Sequence, residues 1–396
     1  MKNARSFPAV SNPAKTVNCL ALTLDAARGQ RDSSTKARVL NGVLAFTVLT
    51  LTSGVVMAAN NQPLLSQLPP ATVSTVPSNG DVNPYGVAYV PRDFRSGGVL
   101  NPGDILVSNF NNSQNLQGTG TTIVRITPSG QPSTFFQGKT GLGLTAALRV
   151  FKNGLVFVGN MPSTDGTSNT VTRGSILILD RNGQVDGMLN DPKFVNGPWG
   201  MAIRDDGTFG QVFVSNVLTG TVVRFDIQMF QGSDQVVVRD AVQIASGYTH
   251  RPDPAALELG PSGLAYDEEH DILYVASSGD NAVFQINNAG DLFSDGGTGK
   301  MIYQDNTHLH GPLDLVLAPN GHLLVANSDG FNVDPNQPSE IVEFTTAGEF
   351  VTQFSVDPNN GGAFGIGLDD IHGFIRFAAV DDNQNILRMW TIPPAE

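Results

Sequence analysis

Chemistry-bearing side chains are sparse in this sequence, and the most suggestive are histidines. His308 and His310 stand one residue apart in "THLHGPLD", which ends on Asp314, and His250 closes the earlier stretch "SGYTH". Neutral imidazoles beside a carboxylate suit a divalent cation, zinc or calcium, and such an ion activates water or polarises a carbonyl. His250, His308, His310 and Asp314 are therefore the candidate metal ligands, provided the fold brings them together. His270, His322 and His372 fall where turns are expected, and a solvated side chain accounts for each. The run "NSDGFNVD", Asn327 to Asp334, spaces oxygen ligands at alternate residues as a calcium loop does, but it lacks the closing bidentate Glu and reads as a polar turn. Neither a Gly-x-Ser-x-Gly elbow nor a phosphate-binding loop occurs, which removes support from serine-hydrolase and nucleotide-binding functions.

A second set of residues suits binding rather than catalysis. Tyr85, Trp199 and Phe364 offer apolar stacking area, and Asn109, Asn160, Asn216 and Asn327 offer donors and acceptors. That mixture fits a sugar, a peptide or an aromatic small molecule. The same aromatics would serve equally well as a buried plug.

The elements that must position both sets are repeats. "NPYGVAYVP", "LTAALRVFKNG", "GPWGMAIRDDG", "GPSGLAYDEEH", "GPLDLVLAPNG" and "GAFGIGLDDIHG" each open a unit, followed by a second apolar run such as "VFVSN" or "LLVAN" and a third such as "TVVRFDI". Taking Gly86, Ala146, Gly200, Gly263, Asp314 and Gly365 as equivalent gives a period of about 50 to 60 residues, as in propeller blades. The runs are short, β-branched and separated by Gly, Asn and Asp, with no sustained helical period. The expected fold is all-β, a six-bladed β-propeller.

If the innermost strand starts on one face, the loop after the second strand returns to it. That face then collects the residue before each marker (Tyr85, Thr145, Trp199, Ser262, Leu313, Phe364) and the residue ending each second strand (Asn109, Asn160, Asn216, Ser277, Asn327, Asp381). The last repeat runs out at its third strand, near Trp390. The segment 71–76 has strand composition without a partner in its own unit, so it is expected to complete the sixth blade and remove an open edge.

The repeats resemble NHL-repeat propellers and, more distantly, the gluconolactonase-like six-bladed propellers. The resemblance covers nearly all of the chain after the leader, and its motifs are scaffold motifs. Gluconolactonase-like enzymes hold a divalent cation in the central channel with Glu, Asn and Asp, two of them near the x of Pro-x-Gly. This chain has no carboxylate or amide at any such x, and its one acidic substitution, Asp314, replaces the Gly instead. The peptide-amidating lyases, NHL-type propellers, bind zinc through His from several blades, which implies such a role for His250, His308 and His310.

The apolar stretch 39–57 follows Lys36 and Arg38 and ends in Ala58-Ala59, a secretory signal with its cleavage site. Residues 1–58 are thus expected to be a leader, 59–70 a linker and 71–396 a single propeller domain, with the product periplasmic or secreted and not inserted in a membrane. The only cysteine, Cys19, precedes the apolar stretch, so no thiolate site remains after cleavage. The leader holds seven of the 23 Lys and Arg but two of the 36 Asp and Glu, leaving 16 basic against 34 acidic side chains. Such a surface repels nucleic acid. The leading expectation is an exported binding or interaction module. The competing one is a metal-dependent hydrolase or lyase, lactonase-like or amidating-lyase-like, with its site at the central channel.

Overall fold

The computed structural model describes residues 62–65, 69–95, 97–230, 235–328, 330–371 and 373–393. The stretch 39–57 expected to be a signal, Cys19 and His372 lie outside them.

Each repeat becomes a four-stranded antiparallel sheet, and the described strands form six of these around an axis. From the inside outward, blade 1 is Val82–Tyr89, Ile105–Asn111, Thr122–Ile126 and Pro132–Gln137; blade 2 is Leu144–Val150, Val156–Asn160, Ser175–Leu179 and Val185–Leu189. Blade 3 is Pro198–Asp205, Phe209–Asn216, Thr221–Met229 and Val236–Ser246; blade 4 is Pro261–Asp267, Ile272–Ser277, Ala282–Asn287 and Lys300–Gln304. Blade 5 is Pro312–Leu317, His322–Asn327, Glu340–Thr345 and Phe350–Ser355. Blade 6 takes Ala363–Ile371, Phe374–Asp381 and Ile386–Ile392 from the chain end and its outer strand, Ala71–Ser74, from the chain start. The expected closure is present, with Ala71 opposite Met389 and Ser74 opposite Ile386.

Every inner strand begins with a break in register, between Pro84 and Gly86 in blade 1 and between Pro198 and Met201 in blade 3, for example. Bulges of this kind bend a strand and re-aim its side chains. The glycines after them have a specific reason: a Cβ on Gly365 would lie 1.8 Å from the Tyr85 carbonyl oxygen, and one on Gly200 would lie 2.0 Å from that of Ser262. No side chain fits where blades approach so closely.

Neighbouring blades are joined by side-chain stitches near the axis. Ser108 Oγ donates to Thr145 O (2.8 Å), Thr145 Oγ1 to Pro198 O (2.7 Å), Ser215 Oγ to Ser262 O (2.5 Å) and Ser262 Oγ to Pro312 O (3.1 Å). Between the blades lie apolar clusters built from both neighbours; the one between blades 2 and 3 includes Phe157, Ile178, Met201, Val212 and Phe225. Each such side chain contributes about 1.5–3 kcal/mol through burial.

Leu64 and Leu65, within the segment expected as a linker, donate their N–H groups to Glu343, Leu64 at 2.8 Å. Glu343 and His322 are both buried, with Nδ1 of His322 2.5 Å from Oε1 of Glu343. The expectation of a solvated turn histidine fails for His322, because its carboxylate partner sits on the adjacent third strand rather than nearby in sequence. It holds for His270, which is exposed and whose pKa is raised by its 2.8 Å contact with Asp267.

Candidate metal centre on blade 5

The face expected to bind a ligand is filled. Tyr85 and Trp199 are 4% and 1% exposed, and with Phe110, Phe364 and Leu313 they form one cluster across the channel. Tyr85 meets Trp199 edge-on at 5.6 Å and Phe364 at 4.7 Å, while Phe110 meets Trp199 at 5.3 Å. A hairpin, Arg251–Asp253 with Leu257–Leu259, adds Leu257 to the cluster and is tied down by Ser168 Oγ, which donates to the Leu257 carbonyl. These aromatics are the plug.

The asparagines are equally committed. Asn109 Nδ2 donates to Thr75 O of the closing segment, Asn160 Oδ1 accepts from Gly143 N–H, and Asn216 Nδ2 donates to Phe194 O. Asn327 Nδ2 donates to His308 O (2.6 Å) and to Glu340 Oε1 (2.8 Å). At these four second-strand ends the amide satisfies backbone groups of a neighbouring segment or of the connection entering the blade, while blades 4 and 6 carry Ser277 and Asp381 there.

The four residues expected to bind metal do not converge. His250 Nδ1 bonds to its own turn at Tyr248 O (3.1 Å). His308 Nδ1 lies 2.7 Å from Asp305 Oδ2, and its ring stacks on Phe350 at 3.9 Å. Asp314 is a stitch: Oδ2 accepts from Ile366 N–H of blade 6 and Oδ1 from Leu315 N–H. It takes the place that a hydroxyl holds between other blades, and burial pushes its pKa up to about 6 even though Arg149 pulls it down.

Only His310 enters a cluster, and its partners are Asp334 and Glu340. The three can each offer a ligand atom with all three atoms within 4.8 Å of one another. His310 comes from the connection entering blade 5, Asp334 from the loop between its second and third strands, and Glu340 from the first residue of the third strand. Gly311, at φ +78°, lets that loop pack down, because a Cβ there would stand 2.6 Å from the Phe331 ring. Nδ1 of His310 lies 3.1 Å from Asn332 O and donates to it, which turns Nε2 toward Asp334 Oδ2 at 3.6 Å. Nε2 is buried and has no hydrogen-bond partner among the described residues. One imidazole nitrogen and two carboxylates gathered in this way could hold a cation between them. The oxygen-rich run contributes to this candidate cluster: Asp334 belongs to "NSDGFNVD", and Glu340, six residues on, stands where a closing Glu would be sought, with an imidazole from the preceding connection.

Elsewhere on this face two carboxyls have their pKa raised toward neutrality. Burial pushes Glu258 up to about 7 against the pull of His250, and burial with the nearby Asp381 pushes Asp382 up to about 7. A carboxyl whose folded pKa exceeds its unfolded value, about 4, favours the fold fully below that value and loses this contribution as pH rises through the folded one. The melting temperature is therefore expected to decline between about pH 4 and pH 7, and Asp382→Asn should flatten the decline. Thermal melts of both proteins across that range check it; parallel curves would remove Asp382 from the account.

No protein family and no curated protein matches this sequence. Solved structures do match. A gluconolactonase from Xanthomonas campestris is 11% identical, with 84% of this chain and 99% of that chain covered and a TM-score of 0.50. A calcium-binding regucalcin from Agrobacterium tumefaciens is 10% identical, with 83% and 97% covered and a TM-score of 0.49. The likeness reaches the six-bladed fold and not NHL repeats specifically. In fold, this chain is a six-bladed β-propeller distantly similar to the gluconolactonase propeller.

Proposed function

We propose that this chain is an exported, metal-dependent hydrolase or lyase whose ion is held by His310, Asp334 and Glu340 over blade 5. The observation that carries the reading is the buried Nε2 of His310, aimed without a hydrogen bond at the Asp334 carboxylate. One imidazole with two carboxylates suits zinc better than calcium, which takes six to eight oxygen ligands. Three protein ligands leave a position for water or substrate, and a bound zinc there lowers the pKa of water to about 7 or polarises a carbonyl. The roles of the residues follow from their bonds. His310 is oriented by Asn332 O, Glu340 by Asn327, and Asp334 Oδ1 by the N–H of Asn336 at 2.9 Å. Such second contacts hold ligands in place before the ion arrives. The centre lies above a third strand rather than on the axis, which the aromatic plug fills. Among the described residues no helix is long and apolar enough to cross a membrane, and export rests on the leader.

Elemental analysis of protein purified without chelator should find about one zinc per chain, lost in His310→Ala and in Glu340→Gln. Metal removal should also abolish hydrolysis or elimination on a panel of lactones and esters. A metal-free preparation that takes up no added zinc would overturn the reading. Zinc retained by both variants would move the site elsewhere.

A further inference from the structure

The channel that is plugged on the ring face is open on the other. There the inner strands end in six equivalent positions, each three residues after its repeat marker: Tyr89, Arg149, Ile203, Tyr266, Leu317 and Leu368. Two recesses of about 260 and 230 Å³ lie among them and share Arg149, Ile203, Val316 and Leu368. Five of the six positions are apolar or aromatic, and Arg149 is the only charged residue lining either recess.

Arg149 is anchored rather than neutralised. Nη1 donates to its neighbour Leu148 O (2.7 Å), and Nη2 reaches past blade 3 to Leu264 O on blade 4 (3.3 Å). Among the described residues it makes no ion pair at contact distance. Asp314 is near enough to act on its charge, but both carboxylate oxygens are engaged with backbone N–H groups. A guanidinium has five N–H donors, and carbonyls take two here, so three have no partner among the described residues. Holding a cation in such surroundings without a contacting anion is costly, and an arriving anion recovers that cost. The planar fork of the guanidinium matches a carboxylate with two parallel hydrogen bonds.

We propose that this vestibule is a binding site for a small organic carboxylate with an apolar body, the carboxylate on Arg149 and the body against Tyr89, Tyr266, Leu317 and Leu368. The recesses admit a short-chain or single-ring acid. The site shares no residue with the metal centre and stands or falls apart from it.

Isothermal titration of the purified chain with hexanoate, benzoate, hexan-1-ol and inorganic phosphate tests it. Saturable one-to-one binding of hexanoate or benzoate is expected, with hexan-1-ol and phosphate weaker by at least about tenfold, since each lacks one half of the complement. Arg149→Met keeps the stem and removes the fork, and should weaken carboxylate binding by at least about tenfold. Leu368→Trp should block the mouth with Arg149 intact and leave the melting temperature nearly unchanged, since Leu368 is partly exposed; it decides the matter if Arg149→Met fails to fold. The proposal is overturned if neither acid binds the unmodified protein, if hexan-1-ol or phosphate binds as tightly as hexanoate, or if Leu368→Trp binds both acids normally.

Discussion

A chain that starts at Pro77 instead of Ala71 should lose cooperative unfolding at room temperature, or at least half of its stability. Truncation removes the outer strand of blade 6, in which Ala71, Thr72, Val73 and Ser74 pair with Met389, Arg388, Leu387 and Ile386. It also removes Thr75, whose N–H and hydroxyl both donate to Asn385 O, at 3.0 and 2.8 Å, and whose carbonyl accepts from Asn109 of blade 1. Thr75 therefore bonds to the last blade and the first, and it is fully buried. At about 1 kcal/mol net per hydrogen bond, with the buried Asn109 amide left unpaired as well, the loss is on the order of 5 kcal/mol, comparable to the whole stability of a marginal domain. A chain starting at Ala71 is the comparison. It lacks Leu64 and Leu65, so Glu343 loses backbone donors while keeping His322, and the expected loss is smaller, about 1–3 kcal/mol. Urea unfolding followed by circular dichroism ranks the two; equal midpoints would refute the closure argument.

The ring itself was legible because it is written as a period. Six markers 51 to 63 residues apart, each followed by two apolar runs, leave little else for the chain to become, and the unpartnered segment at 71–76 predicts its own place in blade 6. The glycine markers have their own reason, since backbones crowd at Gly200 and Gly365. What did not follow was the use of side chains at the axis. A period states that Tyr85, Trp199 and Phe364 share a face, but not whether they point to solvent or to one another. The bulge that begins each inner strand decides that, and a bulge leaves no mark on a hydrophobic pattern.

The candidate metal cluster was half legible. His310 and the oxygen-rich run ending at Asp334 are both conspicuous, yet they were assigned to separate chemistries because the loop folds back onto the connection that precedes its own blade. Glu340 was silent, being one carboxylate at the start of one strand. Arg149 is legible in the repeat frame, as the single charge in a ring of Tyr, Ile, Tyr, Leu and Leu.

Trp199→Ala should destabilise the protein by about 3–5 kcal/mol, the usual cost of emptying a large buried aromatic site. Trp199 is 1% exposed and in edge-on contact with both Tyr85 and Phe110, so the cavity would open at the centre of the plug where blades 1, 3 and 6 meet. Collapse is resisted there, because the flanking backbones are stitched by Thr145 to Pro198 O and by Ser215 to Ser262 O. Trp199→Phe retains an aromatic ring and should lose less, about 1–2 kcal/mol. The contrast with a ligand-binding tryptophan is direct: a stacking surface on an open face would cost affinity while leaving the fold within about 0.5 kcal/mol. Denaturant unfolding followed by far-ultraviolet circular dichroism reads the difference without relying on the altered fluorophore. A near-neutral Trp199→Ala would return the ring face to its place as a binding surface, and it would mean that the channel is not sealed there.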